Sequence, residues 1–260
     1  MPDEAIENDK PVLVTPSYWR DAQLPLQSLI FLLPLLALYE LGTIVYATDE
    51  VTGVRRFIYA RSLLADLFEY FGVQAYYLPG LIAVVGLMGW HLTRRDRWFI
   101  RPTLYVGMLV ESVLWGGCLF VLVLVVVRQP LGQFALMAGG AHNAPWQQML
   151  VFSVGAGIYE ELLFRLLGIM VLHMIFVDLL PLKDHWGAAL AVVGSAVAFA
   201  LYHFSDQNPF DWNKCLLYTG AGLYFAFVYV LRGFGVVAAT HAMYDIIVVV
   251  TQLMSSSRGS

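Results

Sequence analysis

The 260-residue chain contains little charge. Lys, Arg, Asp and Glu make up 13% of it, whereas 59% of the residues are hydrophobic. A typical soluble domain has about 25% charged and about 45–50% apolar residues, because a globule must cover its outside with polar groups. The composition excludes a disordered chain, which needs low hydrophobicity, and indicates an integral membrane protein of one compact domain.

Cysteine and positive charge are also scarce. Two cysteines, Cys118 and Cys215, are too few for the disulfide framework of a small secreted domain. The formal net charge of -4 lacks the basic excess that nucleic-acid binding usually requires. We therefore expect a lipid bilayer around the chain and no nucleic-acid partner.

Long apolar runs predict an all-α, polytopic transmembrane bundle, since a hydrocarbon core about 30 Å thick takes about 20 helical residues. A further run, 57–71, is amphipathic; we expect it to lie in the membrane interface, the alternative being an eighth segment inside the bundle. The sequence thus predicts seven to eight membrane helices. The seven apolar runs are 25–47, 75–93, 104–127, 148–180, 187–204, 216–231 and 234–254.

These runs divide the chain into four parts. Residues 1–24 form a polar N-terminal segment without the pattern of a secretory signal, and 255–260 form a flexible tail. Between them, 25–147 hold transmembrane helices to which the sequence assigns no role, and 148–254 hold the motifs described below. We expect a multi-pass protein of a bacterial plasma membrane rather than of the endoplasmic reticulum.

Basic residues in the loops predict the orientation. The densest group, between Arg94 and Arg101, places its loop in the cytoplasm. Lys183 and Arg232 then share that side, and Arg128 and Lys214 lie on the other. The alternative is that single loop charges carry no topological information.

The apolar runs themselves contain ionisable residues. Each such group costs about 2.5–3.5 kcal/mol at a helix centre, so its presence indicates a partner or a function. The ionisable residues within the runs are Glu40, Glu111, Glu160, Glu161, Arg165, His173, His203, His241 and Asp245.

Two adjacent acids have different environments on one helix. Glu161 and Arg165 are four residues apart, so they share a face and are expected to form a structural ion pair. Glu160 lies about 140° around the helix from Arg165 and is expected to face another helix. The alternative is that both acids serve the arginine in one packed network.

Two further helices carry histidines on inward faces. Gly187, Ala191, Ser195, Phe199 and His203 follow one another at steps of four, and small residues on such a stripe let helices approach closely in lipid. The alternative for the histidine is a lone side chain at the membrane interface.

The last run contains His241 and Asp245, also four residues apart, so that the aspartate can fix the imidazole tautomer. Taken alone, this pair is more simply explained as a buried contact that stabilises the packing of two helices. Together with Glu160 and His203 it predicts a polar pocket within lipid, because one acid and two histidines then face inward from different helices.

Three motifs in this order resemble the signature of the CPBP family, the CAAX-processing and bacteriocin-processing membrane proteins also called the Abi family. The family includes the type II CAAX prenyl endopeptidases, and the resemblance covers about the C-terminal 100 residues. The motifs are Glu160-Glu161-x-x-x-Arg165, Phe199-x-x-x-His203 and His241-x-x-x-Asp245.

The resemblance implies an intramembrane endopeptidase that uses a glutamate and needs neither a metal nor another cofactor. Glu160 would be the general base that activates water, with His203 assisting. His241 and Asp245 would bind the developing oxyanion or position the groups that do. The substrate would be a protein or peptide in or at the membrane, and prenylated CAAX tails are one option.

The same resemblance gives Glu161, Arg165 and Phe199 supporting structural roles. The chain departs from the family at Asp245, where members often carry Asn. An ionised carboxylate cannot donate a hydrogen bond to an oxyanion. Asp245 is therefore either protonated or acts by orienting His241, and we expect orientation.

Three other functions fit parts of the pattern. One glutamate and two histidines are a known catalytic zinc set, although the usual His-Glu-x-x-His helix is absent. Glu40 and Glu111 would form a proton or ion relay with Glu160 in a transporter, unless they lie near the interface. The same fold would also serve a non-catalytic scaffold or immunity protein.

Overall fold

The structure is a computed structural model that describes residues 17–48, 56–70, 72, 78–127, 144–206 and 208–257. This part of the chain is helical and contains no β-strand, so the predicted all-α class is confirmed. Its helices are α1 (Tyr18–Asp21), α2 (Pro25–Tyr46), α3 (Tyr59–Tyr70), α4 (Leu78–Arg94), α5 (Pro102–Val127), α6 (Trp146–Leu179), α7 (Asp184–Tyr202), α8 (Trp212–Arg232) and α9 (Phe234–Ser256).

Within the described ranges, six helices are long and apolar enough to cross a membrane: α2, α5, α6, α7, α8 and α9. The predicted count of seven to eight is therefore not confirmed. The remaining predicted span corresponds to α4, which has 17 described residues and is not one of these six helices. The amphipathic run contains α3, which has 12 described residues.

Most of the predicted polar segment 1–24 lies outside the described residues, as does Arg128. The predicted tail 255–260 begins too early, because α9 continues through Ser256.

The start of α8 and its connection to α9 show how sequence sets helix ends. Asp211 caps α8 by accepting a hydrogen bond from the Lys214 N–H at 2.9 Å. Gly233 has a φ of 80°, a left-handed value that favours glycine, and it separates α8 from α9. One residue therefore turns the chain back between two spans.

Helix α9 lies at the centre of the bundle, and close contacts with glycine bring its neighbours against it. A Cβ atom on Gly157 of α6 would lie 2.4 Å from the Ala238 carbonyl oxygen, and one on Gly116 of α5 would lie 3.0 Å from the Thr240 carbonyl oxygen. Small residues at such crossings let backbones approach in lipid, where packing takes the place of a hydrophobic driving force.

One end of the bundle is joined by polar contacts. The side chain of Arg101 pairs with Asp21 at 2.6 Å, and Arg232 donates to the Trp19 carbonyl oxygen at 3.0 Å. The prediction that Arg232 shares a side with the Arg94–Arg101 group is thereby confirmed. Lys214 lies at the other end of α8.

Candidate active site

The paired acids and the arginine lie on α6, where the helix changes from α to π geometry. The π-helical stretch Leu162–Gly168 begins directly after Glu161, and such turns are frequent at functional sites. The Arg165 Nε atom lies 3.1 Å from Glu161 Oε2, and neither side chain is exposed. The predicted ion pair is confirmed, and Arg165 also donates to the Gly222 carbonyl oxygen at 3.2 Å.

The small-residue stripe of α7 is buried, as predicted. Ser195 donates a 2.6 Å hydrogen bond to the Phe164 carbonyl oxygen of α6, and Gly222 of α8 packs against the Ala196 backbone. These close contacts bring the end of α7 beside Glu160. Phe199, on the same stripe, lies under the Arg165 guanidinium, whose central carbon is 4.4 Å from the ring centre.

Glu160 faces two histidines from two other helices. Its Oε2 atom lies 3.9 Å from Nε2 of His203, which follows α7, and 3.9 Å from Nε2 of His241 on α9. These separations are too long for direct hydrogen bonds. Glu160 Oε2 is buried and has no hydrogen-bond partner among the described residues. The prediction that Glu160 faces away from its own helix toward the histidines agrees with this geometry.

The orientation of the His203 ring follows from its other nitrogen. Nδ1 lies 2.7 Å from the Phe199 carbonyl oxygen, which can only accept a hydrogen bond, so Nδ1 carries the proton. Nε2 is then the nitrogen directed at Glu160. Tyr218 of α8 stacks on the ring at 4.7 Å between centroids and restricts its tilt.

The His241 ring is oriented by Glu161. Nδ1 of His241 lies 2.7 Å from Glu161 Oε1, whereas Asp245 Oδ2 lies 3.7 Å from Nε2. The shorter contact of this ring thus comes from α6, and the orientation of His241 by Asp245 stays a prediction. Phe225 of α8 stacks on the His241 ring at 4.4 Å between centroids.

Tyr202 is a site residue that sequence reasoning missed. Its hydroxyl oxygen lies 3.3 Å from Glu160 Oε1 and accepts a 2.8 Å hydrogen bond from the Ala60 N–H of α3. An aromatic residue beside a histidine carries no distinctive sequence signal. The hydrogen bond from Ala60 also depends on the position of α3, which no sequence motif indicates.

The other intramembrane acids have partners away from this site. Glu40 accepts a 2.8 Å hydrogen bond from Tyr159 and lies 3.6 Å from Arg61 of α3. Glu111 accepts two hydrogen bonds from Arg232, at 2.5 and 2.9 Å. Arg61 lies outside the six long helices, and Arg232 is the last residue of α8. These contacts agree with the alternative that Glu40 and Glu111 lie near the membrane interface.

The remaining histidine of the long run is also remote from the site. His173 Nε2 lies 3.1 Å from Asp184 Oδ1, and both side chains are exposed. Among the described side chains, no group of three or more His, Cys, Asp and Glu residues was found that would hold a metal ion.

A cavity of about 270 Å³ is lined by His203 and His241, among other residues. Its walls are mostly apolar, with Asp245 and Tyr244 among the polar contributors. Its lining residues lie near the end of α5, in the first turns of α6, at the end of α7, in the middle of α8 and in the middle and last turns of α9. It therefore lies toward the end of the bundle opposite the Arg94–Arg101 loop.

The comparison with known families covers these same helices. Residues 142–247 match the Rce1-like type II CAAX prenyl endopeptidases. The match includes all three motifs and confirms the resemblance seen in the sequence. No curated protein and no solved structure matches the chain significantly. Residues 142–247 are thus similar to a protease family, and six of the described helices are long and apolar enough to cross a membrane.

Proposed function

We propose that the chain is an intramembrane endopeptidase that hydrolyses a peptide bond in a membrane-associated or lipidated protein. The observation that carries this proposal concerns the Oε2 atom of Glu160, which is buried, lies 3.9 Å from Nε2 of both His203 and His241, and has no hydrogen-bond partner in the described part of the chain. A buried carboxylate oxygen without a partner is costly unless water or substrate completes its environment. The Rce1-like match supports the same reaction class.

Water activation is assigned to Glu160 and His203. The 3.9 Å separation of their facing atoms suits one water molecule that contacts both. Glu160 takes a proton from this water as the oxygen attacks the peptide carbonyl carbon. The same carboxyl then gives the proton to the leaving amine, as a general base that turns general acid.

Oxyanion binding is assigned to His241, with Glu161 behind it. A carboxylate at Nδ1 stabilises positive charge on the ring, and Nε2–H then donates to the developing oxyanion. Asp245, 3.7 Å from Nε2, lines the cavity and positions the substrate or the ring from the other side. Arg165 pairs with Glu161 at the opposite end of this chain of contacts.

The cavity favours an apolar substrate. Its walls fit a hydrophobic peptide segment or a lipid chain attached to one, and prenylated CAAX tails are one such substrate. The proposed location is a bacterial plasma membrane, and the proposed mechanism requires no metal ion or other cofactor.

The test uses purified protein in liposomes and two internally quenched peptides. One peptide ends in a farnesylated Cys-aliphatic-aliphatic-X sequence, and the other has the same sequence without the lipid. We expect cleavage of at least the farnesylated peptide, and the rate should be unchanged by 1,10-phenanthroline. Complete inhibition that zinc reverses would contradict the metal-independent mechanism.

The competing functions give different results in the same liposomes. Proton or ion flux without cleavage of either peptide would favour a transporter that uses Glu40, Glu111 and Glu160. Neither flux nor cleavage would favour a scaffold or immunity protein. The arginine contacts of Glu40 and Glu111 argue against a relay through them.

A further inference from the structure

We infer that Tyr202 is a positioning residue that selects which oxygen of Glu160 acts as the base. The inference rests on the proposed function, because it concerns the geometry of the same carboxylate. Tyr202 lies in the last turn of α7, directly before His203, and its hydroxyl oxygen is 3.3 Å from Glu160 Oε1.

The direction of this hydrogen bond follows from the second partner of the hydroxyl. The Ala60 N–H can only donate, and it donates to the Tyr202 oxygen at 2.8 Å. The hydroxyl proton is then left for Glu160 Oε1, because a phenol carries a single O–H donor. A carboxylate that accepts this bond is held at Oε1 and keeps Oε2 available for water.

The Tyr202 ring is held on several sides. Tyr59 of α3 stacks on it at 5.5 Å between centroids, and Phe164 of α6 meets it edge-on at 5.2 Å. Ala60 lies in the first turn of α3, where N–H groups have no partner within the helix. Tyr202 supplies that partner, so it joins the short amphipathic helix to the catalytic carboxylate.

The two oxygens of Glu160 therefore have different environments. Oε1 faces Tyr202, whereas Oε2 faces His203 and His241 and has no hydrogen-bond partner in the described structure. Without the Tyr202 hydroxyl, the carboxylate is free to rotate and the water position between Oε2 and His203 is no longer fixed. Loss of such alignment reduces turnover and leaves substrate binding intact.

The test compares Tyr202→Phe with a matched control, Tyr105→Phe. Tyr105 donates a 2.7 Å hydrogen bond to Gln27 near the opposite end of the bundle, so both variants lose one phenol hydroxyl. We expect kcat of Tyr202→Phe on the farnesylated peptide to fall about 10- to 100-fold, with KM unchanged. Tyr105→Phe should keep the wild-type kcat and KM.

A second readout does not depend on activity. Hydrogen–deuterium exchange of the Ala60 amide should be faster in Tyr202→Phe than in wild type or Tyr105→Phe, because the amide loses its acceptor. Unchanged exchange at Ala60 would overturn the link between α3 and Tyr202. A Tyr202→Phe variant with wild-type kcat would overturn the positioning role.

The two proposals fail in distinguishable ways. If wild type cleaves the peptide and Glu160→Gln does not, a normal kcat for Tyr202→Phe contradicts this inference alone. If wild type cleaves neither peptide, the proposed function fails, and the catalytic part of this inference fails with it.

Discussion

The Nδ1 atom of His241 lies 2.7 Å from Oε1 of Glu161, whose other oxygen lies 3.1 Å from Arg165. The second glutamate of the motif therefore does more than pair with its own helix. It fixes the ring of a histidine on α9 and presents Nε2 to the cavity.

Because of this contact, we expect the loss of Glu161 to affect turnover more than the loss of Asp245. Glu161→Gln removes the negative charge at Nδ1, and we expect kcat to fall about 100-fold, the loss typical of a weakened oxyanion donor. The matched control is Asp245→Asn, which also replaces an acid of the site by its amide. It changes a longer contact of 3.7 Å, and we expect kcat to fall by less than about tenfold. The measurement is kcat on the farnesylated peptide in liposomes. A larger loss in Asp245→Asn than in Glu161→Gln would contradict the assigned orientation of His241.

The Glu161–Arg165 pair should dominate stability. Both side chains are fully buried, and removal of one partner leaves a buried charge at a cost of about 3–5 kcal/mol. We expect Arg165→Ala and Glu161→Ala to lower yield and thermal stability strongly. The control is Arg101→Ala, since Arg101 is 36% exposed in its pair with Asp21 and an exposed pair contributes at most about 1 kcal/mol. Equal melting temperatures for the Arg165 and Arg101 variants would refute this difference.

Two histidine substitutions separate catalysis from a general effect of losing an imidazole. His203→Ala removes the ring that faces Glu160, and we expect no measurable cleavage. His173→Ala removes a ring that pairs with Asp184 at an exposed position, and activity should be unchanged. Both variants are compared by peptide cleavage at equal amounts of folded protein. Retained activity in His203→Ala would remove the histidine from the mechanism.

The ends of the bundle can be assigned to opposite sides of the membrane. Arg97 lies in the loop between α4 and α5, and Asn213 lies in the first turn of α8, near the cavity end. In a background with Cys118 and Cys215 replaced by Ser, we expect a membrane-impermeant maleimide added to oriented vesicles to label only one of Arg97→Cys and Asn213→Cys. Labelling of both from one side would contradict the placement of the cavity opposite the arginine-rich loop.

The sequence predicts the helical scaffold well where the apolar runs are long. The ends of the six long helices fall within four residues of the predicted runs, because Pro, Gly and charged residues mark them. It is less informative for α3 and α4, which are not among the six long apolar helices. Short amphipathic segments do not specify by themselves whether they span or lie beside a bundle.

The sequence also indicates the Glu161–Arg165 pair and the facing of Glu160, since four-residue spacing fixes a common helix face. It does not indicate the His241–Glu161 contact, because helix periodicity says nothing about which residue of a neighbouring helix is met. Spacing alone predicts Asp245 as the partner of His241, because the two residues lie four apart on one helix. Tyr202 was missed for the same reason, since its partner Ala60 is 142 residues away.

The most direct test of the account is the single-turnover rate of Glu160→Gln beside Glu111→Gln on the farnesylated peptide. The two variants lose one intramembrane carboxylate each, but Glu111 pairs with Arg232 away from the histidines. The account predicts no detectable cleavage by folded Glu160→Gln and a wild-type rate for folded Glu111→Gln. Cleavage at the wild-type rate by Glu160→Gln would contradict the role of Glu160 as the base.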